Sequence, residues 1–478
     1  MQMSTTRLSA LKRPLKKVRN FFKDPLPRDK ALIFEDYELK FPDIIFTYRV
    51  GNQRYNSWVR FDLPIHQLSN LNRENHHPLF VNLGLAFAAG HFILSDFATI
   101  RCDCAKLNDQ ECALLEQRMM AALAEFRYLQ GLDPSRPVAV LSSGKRALHP
   151  VPFAHAEEKA LMLNGGGKDS CVSAELLKGI GLPFAWLSAH PNPIRLRVID
   201  RSGNPEKYAF DFSLSEQAKT DAVYPWGAEP YLQVITAASL IISYLTGFKY
   251  LVTGAEHSAD DSNLIYKGVE VNHQSGKTST FENFFNTFIQ NSVLQEAKLF
   301  SIARPFTDFR LGEMFSHFPQ YFDAFFSCNM GMGKNKWCNN CHKCAFTYMA
   351  LYPFFEQQTL INIFGQDLFK IPTIRKYMIE LTTATIKPWE CVGTLDECKL
   401  ALRYCLKKSP NMEFNEWPRR SDLEKSCHDI QEQTVHEHVM STFHTPHNIP
   451  GPIEQPLRDL ASSLRKKSIQ RWPEIIQS

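Results

Sequence analysis

The sequence predicts an α/β protein built on a parallel sheet, with an α+β domain before it and a mainly helical region after it. Three observations carry this expectation. Between residues 151 and 350, short apolar strands alternate with helical segments, the pattern of a parallel sheet covered on both faces. One of these strands runs into a glycine-rich turn that opens a helix. Hydrophobic residues make up 44% of the 478 and charged residues 22%, ordinary globular values that exclude a disordered chain. The 35 Phe point the same way, to a large packed core.

Residues 1–28 stand apart. Arg7, Lys12, Arg13, Lys16, Lys17, Arg19 and Lys23 occur there with no acid among the first 23 residues, followed by the proline-rich stretch Asp24–Arg28. This segment reads as a flexible basic tail or as an organelle transit peptide. Residues 29–150 read as an α+β domain. Phe46–Phe61 alternates polar and apolar residues around Gly51-Asn52, a hairpin signal. Val81–Leu94 and Asp109–Leu129 have helical period, the second with Leu114, Leu115, Met119, Ala122, Leu123 and Phe126 on one broad face. Nothing in this domain carries evident chemistry.

In residues 151–350, Ala160–Leu163, Phe184–Ser188 and Tyr250–Thr253 are strand-like, while Ser170–Lys178 and Glu229–Thr246 are helix-like. Residues 351–478 are mainly helical and end in a charged tail, with a Pro/His-rich interruption at His444–Pro452.

Several function classes are disfavoured at once. The balance of 54 basic against 50 acidic residues leaves +4, too little for a nucleic-acid platform. The apolar windows Val81–Ala98 and Tyr231–Phe248 are interrupted by polar residues and read as buried helices, not membrane spans. No apolar h-region marks a secretory signal. Twelve cysteines, scattered apart from one cluster, fit a reducing, cytoplasmic setting with one metal site.

The glycine-rich turn is Asn164-Gly165-Gly166-Gly167-Lys168-Asp169-Ser170, directly after Leu161-Met162-Leu163. Three glycines let backbone N–H groups turn inward as a nest for phosphate oxygens, and the following helix points its positive end at the same anion. Lys168 and Ser170 add a charge and a hydroxyl, and Asp169 is placed to hold Mg²⁺ or orient the loop. The pattern is neither a Walker A loop nor a dinucleotide fingerprint.

Cys328, Cys338, Cys341 and Cys344 form the second motif. Two-residue gaps let neighbouring thiolates converge on one ion, and the longer arm closes a tetrahedron. Four thiolates leave no open position, so structural Zn²⁺ is expected. Other segments stand around these two: Gly254-Ala255-Glu256-His257-Ser258 after a strand, Glu270-Val271-Asn272-His273-Gln274, Phe281-Glu282, Arg304-Pro305, Asn362-Ile363-Phe364-Gly365 and Glu390-Cys391-Val392-Gly393. His273 suits acid–base work because imidazole titrates near neutral pH, and a thiolate at Cys391 suits it too. Glu256 and His257 are candidates for substrate or metal, Lys277 and Arg304 for phosphate or carboxylate. Each also has an ordinary structural reading, as a core histidine, a small buried hydrophobe, a solvated turn or a loop cation.

The glycine loop closely resembles the Ser-Gly-Gly-x-Asp-Ser pyrophosphate loop of the ATP pyrophosphatase superfamily, with Gly165 where that pattern has its first Ser. A similar late cysteine cluster accompanies the loop in 7-cyano-7-deazaguanine synthase. The ordered set of segments resembles the bacterial UDP-N-acetylmuramoyl-L-alanyl-L-glutamate epimerase family, over roughly Tyr37 to Leu400. The resemblance implies an adenine-nucleotide alpha-hydrolase-like sheet and an enzyme of peptidoglycan precursor synthesis. That enzyme uses ATP and Mg²⁺ to adenylate the terminal L-glutamate carboxylate of a nucleotide-linked muramyl dipeptide and inverts its α-carbon, releasing AMP and pyrophosphate. ATP is expected on residues Asn164 to Ser170 with Arg304, and the proton transfers on His273, Cys391 and Glu256. Two other readings stand beside it: an adenylating ligase forming an amide, nitrile or thiolated base, and a non-catalytic nucleotide-binding protein, against which the presence of Asp169 and Ser170 argues.

Overall fold

The computed structural model describes residues 30–224, 231–331, 336–409 and 432–476, and the chain divides into two compact units. The basic tail and the Glu229 start of one expected helix lie outside the described residues.

The first unit holds the described residues up to Val151, together with Phe212–Ala238 and Ile265–Val271. Strands β1 (Leu32–Lys40), β2 (Asp43–Val50) and β3 (Gln53–Phe61) form an antiparallel meander. The expected hairpin is β2–β3, with Val50 opposite Gln53 and Gly51 at φ +58°, a value glycine adopts at no steric cost. Strands β4 (Thr99–Cys102) and β5 (Ala139–Ser142) extend this group in parallel from β1. The helix Asp109–Leu129 has the expected bounds and begins in a reciprocal cap between Asn108 and Glu111. The helix expected from Val81 starts earlier, at Arg73, where the Asn72 side chain accepts from the Asn75 N–H; it ends at Ala88 and continues as a 3₁₀ turn.

The second unit carries the parallel strands. These are β6 (Glu157–Leu163), β7 (Phe184–Ala189), β8 (Lys207–Ser213) and β9 (Phe248–Thr253). The short hairpin β10 (Leu264–Tyr266) and β11 (Val269–Val271), which from Ile265 belongs to the first unit, comes next in the chain, then β12 (Lys298–Ser301) of the second. The order is β12-β9-β6-β7-β8, and every pairing within it is parallel. Ala160, Leu161, Met162, Leu251 and Val252 are fully buried, as strands covered on both faces require. From β6 the chain runs outward through β7 and β8, then returns to the other side of β6 as β9. The carboxyl ends of β6 and β9 therefore flank the point where strand order reverses, the place where open α/β sheets bind ligands.

Beyond Leu351 the chain is mainly helical, with Gln357–Phe364, Pro372–Thr383 and Leu395–Lys408 as its first helices. The expected charged tail is instead the helix Gly451–Arg471, docked on this unit. Ile453, Leu457, Ala461, Leu464 and Ser468 recur at helical spacing and are buried, while Asp459, Lys466 and Lys467 are exposed. Arg465 reaches Glu313 at 2.9 Å, and Arg310 donates to the Ala461 carbonyl at 3.1 Å. Among the described residues, no helix is long and apolar enough to cross a membrane.

Leu457→Ala is expected to destabilise this unit by about 2–5 kcal/mol through the cavity it leaves. Denaturant unfolding checks this: an unchanged midpoint would mean that the terminal helix is solvated.

Candidate active site

The glycine loop follows β6 and enters the helix Lys168–Gly179. Its shape is set from inside. The Asn164 side chain accepts from the Gly166 N–H at 2.9 Å, and Ser170 Oγ accepts from the Gly165 N–H at 3.0 Å. Gly166 sits at φ +79°, and a Cβ there would lie 3.0 Å from Ile194 Cγ2. The helix is capped by Gly167, which has no side chain to accept from the first-turn N–H groups; the Lys168 N–H instead donates to Ser327 Oγ at 3.5 Å. On the other side of the reversal point, a Cβ on Gly254 would come within 3.0 Å of the Asp169 carbonyl. Glycine there lets the end of β9 press against the first turn of the helix.

Lys168 is the pivot of a buried charge cluster. Its Nζ pairs with both Asp169 and Asp308, and 3% of its side chain is exposed. Asp308 lies at the start of the helix Asp308–Phe315, where its N–H donates to Ser258 Oγ at 3.0 Å. Ser258 Oγ in turn donates to Glu397, which also accepts from the Phe309 N–H at 3.3 Å. Burial pushes Asp308 up to about 7, although Lys168 opposes it. Burial, reinforced by Asp308, pushes Glu397 up to about 8. Buried Glu256 behaves oppositely: burial alone would raise it, but Lys277, a backbone hydrogen bond, Lys168 and Arg304 together hold it below the usual carboxylate range. Neighbouring carboxyls are thus pushed in opposite directions, Glu256 down and Asp308 and Glu397 up.

A second group gathers around Cys391. Lys277 Nζ lies 3.3 Å from its Sγ and 3.1 Å from Gln274 Oε1. Burial alone would raise the Cys391 thiol, but Lys277, Lys343 and a hydrogen bond with His273 bring it down to about 5. The sequence-selected His273 and Cys391 are therefore in contact, and the thiol is a thiolate at neutral pH. His273 is held by its own N–H, which donates to Asn263 Oδ1 at 2.8 Å. Glu270, from the same sequence segment, belongs to the first unit.

Arg304, read from sequence as a ligand-binding cation, is fully buried and turned inward. It donates to the Glu256 carbonyl at 2.7 Å, to the Lys277 carbonyl, and to Glu282 Oε1 at 2.9 Å. It positions the segments that carry Glu256 and Lys277. Lys168 likewise spends its charge on two carboxylates, so the loop offers an anion backbone N–H groups in place of a free ammonium. Asp308 and Glu397 escaped the sequence reading because each sits in an ordinary helix-start pattern, Thr307-Asp308 and Thr394-x-x-Glu397.

The four cysteines Cys328, Cys338, Cys341 and Cys344 bring their sulfurs within 4.8 Å of one another, with 3.6 Å between Cys338 and Cys344 and 4.0 Å between Cys328 and Cys341. A tetrahedral ion with 2.3 Å metal–sulfur bonds needs edges of about 3.8 Å, so the set fits one metal ion. The cluster touches both functional groups. Ser327 Oγ accepts from the Lys168 N–H at 3.5 Å, and the Phe326 N–H donates to the Gly166 carbonyl at 2.7 Å. Asn329 binds Glu390 at 3.2 Å, next to Cys391, and Lys343 sits between two ligand cysteines. The Asn362–Gly365 segment supports the knuckle through Asn339, which donates to the Phe364 carbonyl at 2.8 Å.

With this geometry in view, the MurL N-terminal domain matches residues 28–302 and the MurL C-terminal domain matches residues 324–438. The chain belongs to the MurL family. It is 28% identical to UDP-N-acetyl-alpha-D-muramoyl-L-alanyl-L-glutamate epimerase of Xanthomonas oryzae pv. oryzae, over 70% of this chain and 74% of that one. It is 26% identical to the protein of the same name from Micromonospora sp., over 74% of this chain and 80% of that one. The protein of that name from Salinispora tropica is 27% identical, over 79% of this chain and 85% of its own. No solved structure matches significantly. In this MurL-family chain the glycine loop, Glu256 and His273 fall within the N-terminal match, and the four cysteines and Cys391 within the C-terminal one.

The charge cluster has a pH signature. Asp308 and Glu397 have folded values raised above the unfolded range near 4, so their protonated forms favour the native state and their charging costs stability as pH rises from about 4 through about 8. Glu397→Gln removes one of these titrations. Its melting temperature relative to the natural protein should therefore climb between pH 5 and 8, and a pH-independent difference would refute the assignment.

Proposed function

We propose that this chain is an ATP-dependent epimerase that inverts the terminal L-glutamate of UDP-N-acetylmuramoyl-L-alanyl-L-glutamate for peptidoglycan precursor synthesis. Family membership and the names of its relatives support the substrate. The observation that carries the mechanism is the pairing, within one unit, of an open phosphate-type loop with a thiolate at Cys391 held by Lys277 and His273.

In this reading the second unit is an ATP pyrophosphatase-type sheet. Backbone N–H groups of the loop and first helical turn take the phosphates, and Asp169 would hold a Mg²⁺ ion, which when bound would offset phosphate charge. The substrate carboxylate attacks the α-phosphorus of ATP, forming an acyl-adenylate and releasing pyrophosphate. A free carboxylate resists loss of its α-proton because the carbanion would form beside an existing negative charge. Adenylation removes that charge and turns the carbonyl into an electron sink. The Cys391 thiolate, hydrogen-bonded to His273, then takes the α-proton from one face, and a proton from solvent returns to the opposite face of the planar carbanion. Glu256, ionised and buried, holds Lys277 in place to keep Cys391 as thiolate. Hydrolysis of the adenylate releases AMP and the D-glutamate product. The four cysteines hold structural Zn²⁺ and take no part in the proton transfers.

The test supplies the protein with ATP, Mg²⁺ and the L-Ala-L-Glu muramyl nucleotide, then resolves glutamate chirality alongside AMP. The natural protein should yield D-glutamate and AMP together. Cys391→Ser should keep ATP cleavage and slow inversion by roughly 10²-fold or more, the usual contribution of a general acid–base group. AMP formation with an amide product and unchanged chirality would favour a ligase instead.

A further inference from the structure

Three histidines meet at a place that the proposed reaction does not use. His257 follows Glu256 at the end of β9, and His438 and His444 come from the segment ahead of the terminal helix. Each offers a nitrogen, and these nitrogens lie within 4.8 Å of one another. The rings of His257 and His444 stack at 3.9 Å, and His438 stands edge-on to His444 at 4.6 Å. His444 lies beyond the residues that match the family's C-terminal domain.

The hydrogen-bond pattern is that of ligands. His444 Nε2–H donates to the His438 carbonyl at 2.9 Å, which fixes its tautomer and leaves Nδ1 with a free lone pair. His257 Nδ1 is buried with no hydrogen-bond partner, an uncompensated polar atom that calls for an occupant.

The backbone holds the three in register. The His257 N–H donates to the Phe306 carbonyl at 2.8 Å, and the His444 N–H to the Pro305 carbonyl at 3.0 Å. Thr307 Oγ1 donates to the Val439 carbonyl at 2.8 Å. His438 rides on a single π-helical turn, Glu437–Ser441, and is exposed.

We infer that His257, His438 and His444 form a second metal site, binding one divalent transition-metal ion through three imidazoles and leaving a fourth position open. Three neutral nitrogens suit Zn²⁺, Co²⁺, Ni²⁺ or Cu²⁺ and not Mg²⁺ or Ca²⁺. Metal–nitrogen bonds of 2.0–2.1 Å need nitrogens about 3.4 Å apart, so loading swings exposed His438 inward and opens the His257–His444 stack. The ion ties residues 438–444 to the loop after β9. That loop is also held by Arg304, whose partner Glu282 accepts from Asn448 at 3.3 Å. The site is a clamp for the carboxyl-terminal segment, separate from the thiolate cluster in ligand chemistry.

The test uses full-length protein produced in Co²⁺-supplemented medium and dialysed against Co²⁺, with metal counted by elemental analysis and read by absorption. The natural chain should hold two ions, one with a thiolate-to-cobalt band and one without. His438→Ala, at an exposed position, and His444→Ala should each hold one, keep the thiolate band, and bind the second ion at least tenfold more weakly. Added Co²⁺ should raise the melting temperature of the natural chain more than that of either variant. A natural chain that stops at one ion, or a variant that retains both, overturns the site.

Discussion

The buried ammonium of Lys168 is the constraint around which the site is organised. Removing both carboxylate partners would leave an uncompensated charge inside the protein, at a cost of about 3–5 kcal/mol. Asp169 stands on the helix after the glycine loop and Asp308 on the helix after β12, so the ion pairs bind two chain segments 140 residues apart in sequence. Asp308 then bears on Glu397, and Glu397 on Ser258 at the end of β9. One cation thereby fixes the relative placement of the loop, the β9 turn and the carboxyl-terminal helix Leu395–Lys408.

The cysteine cluster is the complementary brace. Phe326 and Ser327 hold the glycine loop from one side of Cys328, while Asn329 holds Glu390 beside Cys391 from the other. Lys343, between Cys341 and Cys344, adds to the field that keeps Cys391 ionised. A metal ion held by four thiolates would set the position of the phosphate-type loop and of the thiolate together. The same logic separates the roles of Arg304 and Lys277: Arg304 is sealed in and orients carbonyls, whereas Lys277 is partly exposed and tunes a sulfur.

Features encoded in short local patterns were legible in the sequence. The β2–β3 hairpin, the helix Asp109–Leu129 and the strand–glycine–helix turn after β6 each announce themselves within a few residues. β4 and β5, at four residues each, are too short to show a period. The terminal helix hid behind its charged face, although Ile453, Leu457, Ala461 and Leu464 carry the stripe that docks it. At the site, His273, Cys391 and Glu256 stood out by residue type and surroundings. Asp308 and Glu397 did not, because an acid at a helix start already has an explanation. Burial decides what a cation does, and burial is a property of the fold; Lys168 and Arg304 both read as ligand-facing charges until their partners are seen.

The central claim is that ATP is used to acidify the glutamate α-carbon before the proton moves. Solvent deuterium incorporation measures this directly. In D₂O with the L-Ala-L-Glu muramyl nucleotide, the account predicts deuterium at the glutamate α-position only when ATP and Mg²⁺ are present. An ATP analogue that cannot be cleaved between the α- and β-phosphates should block it, because the carboxylate keeps its charge. Deuterium entering the α-position without ATP would contradict the account.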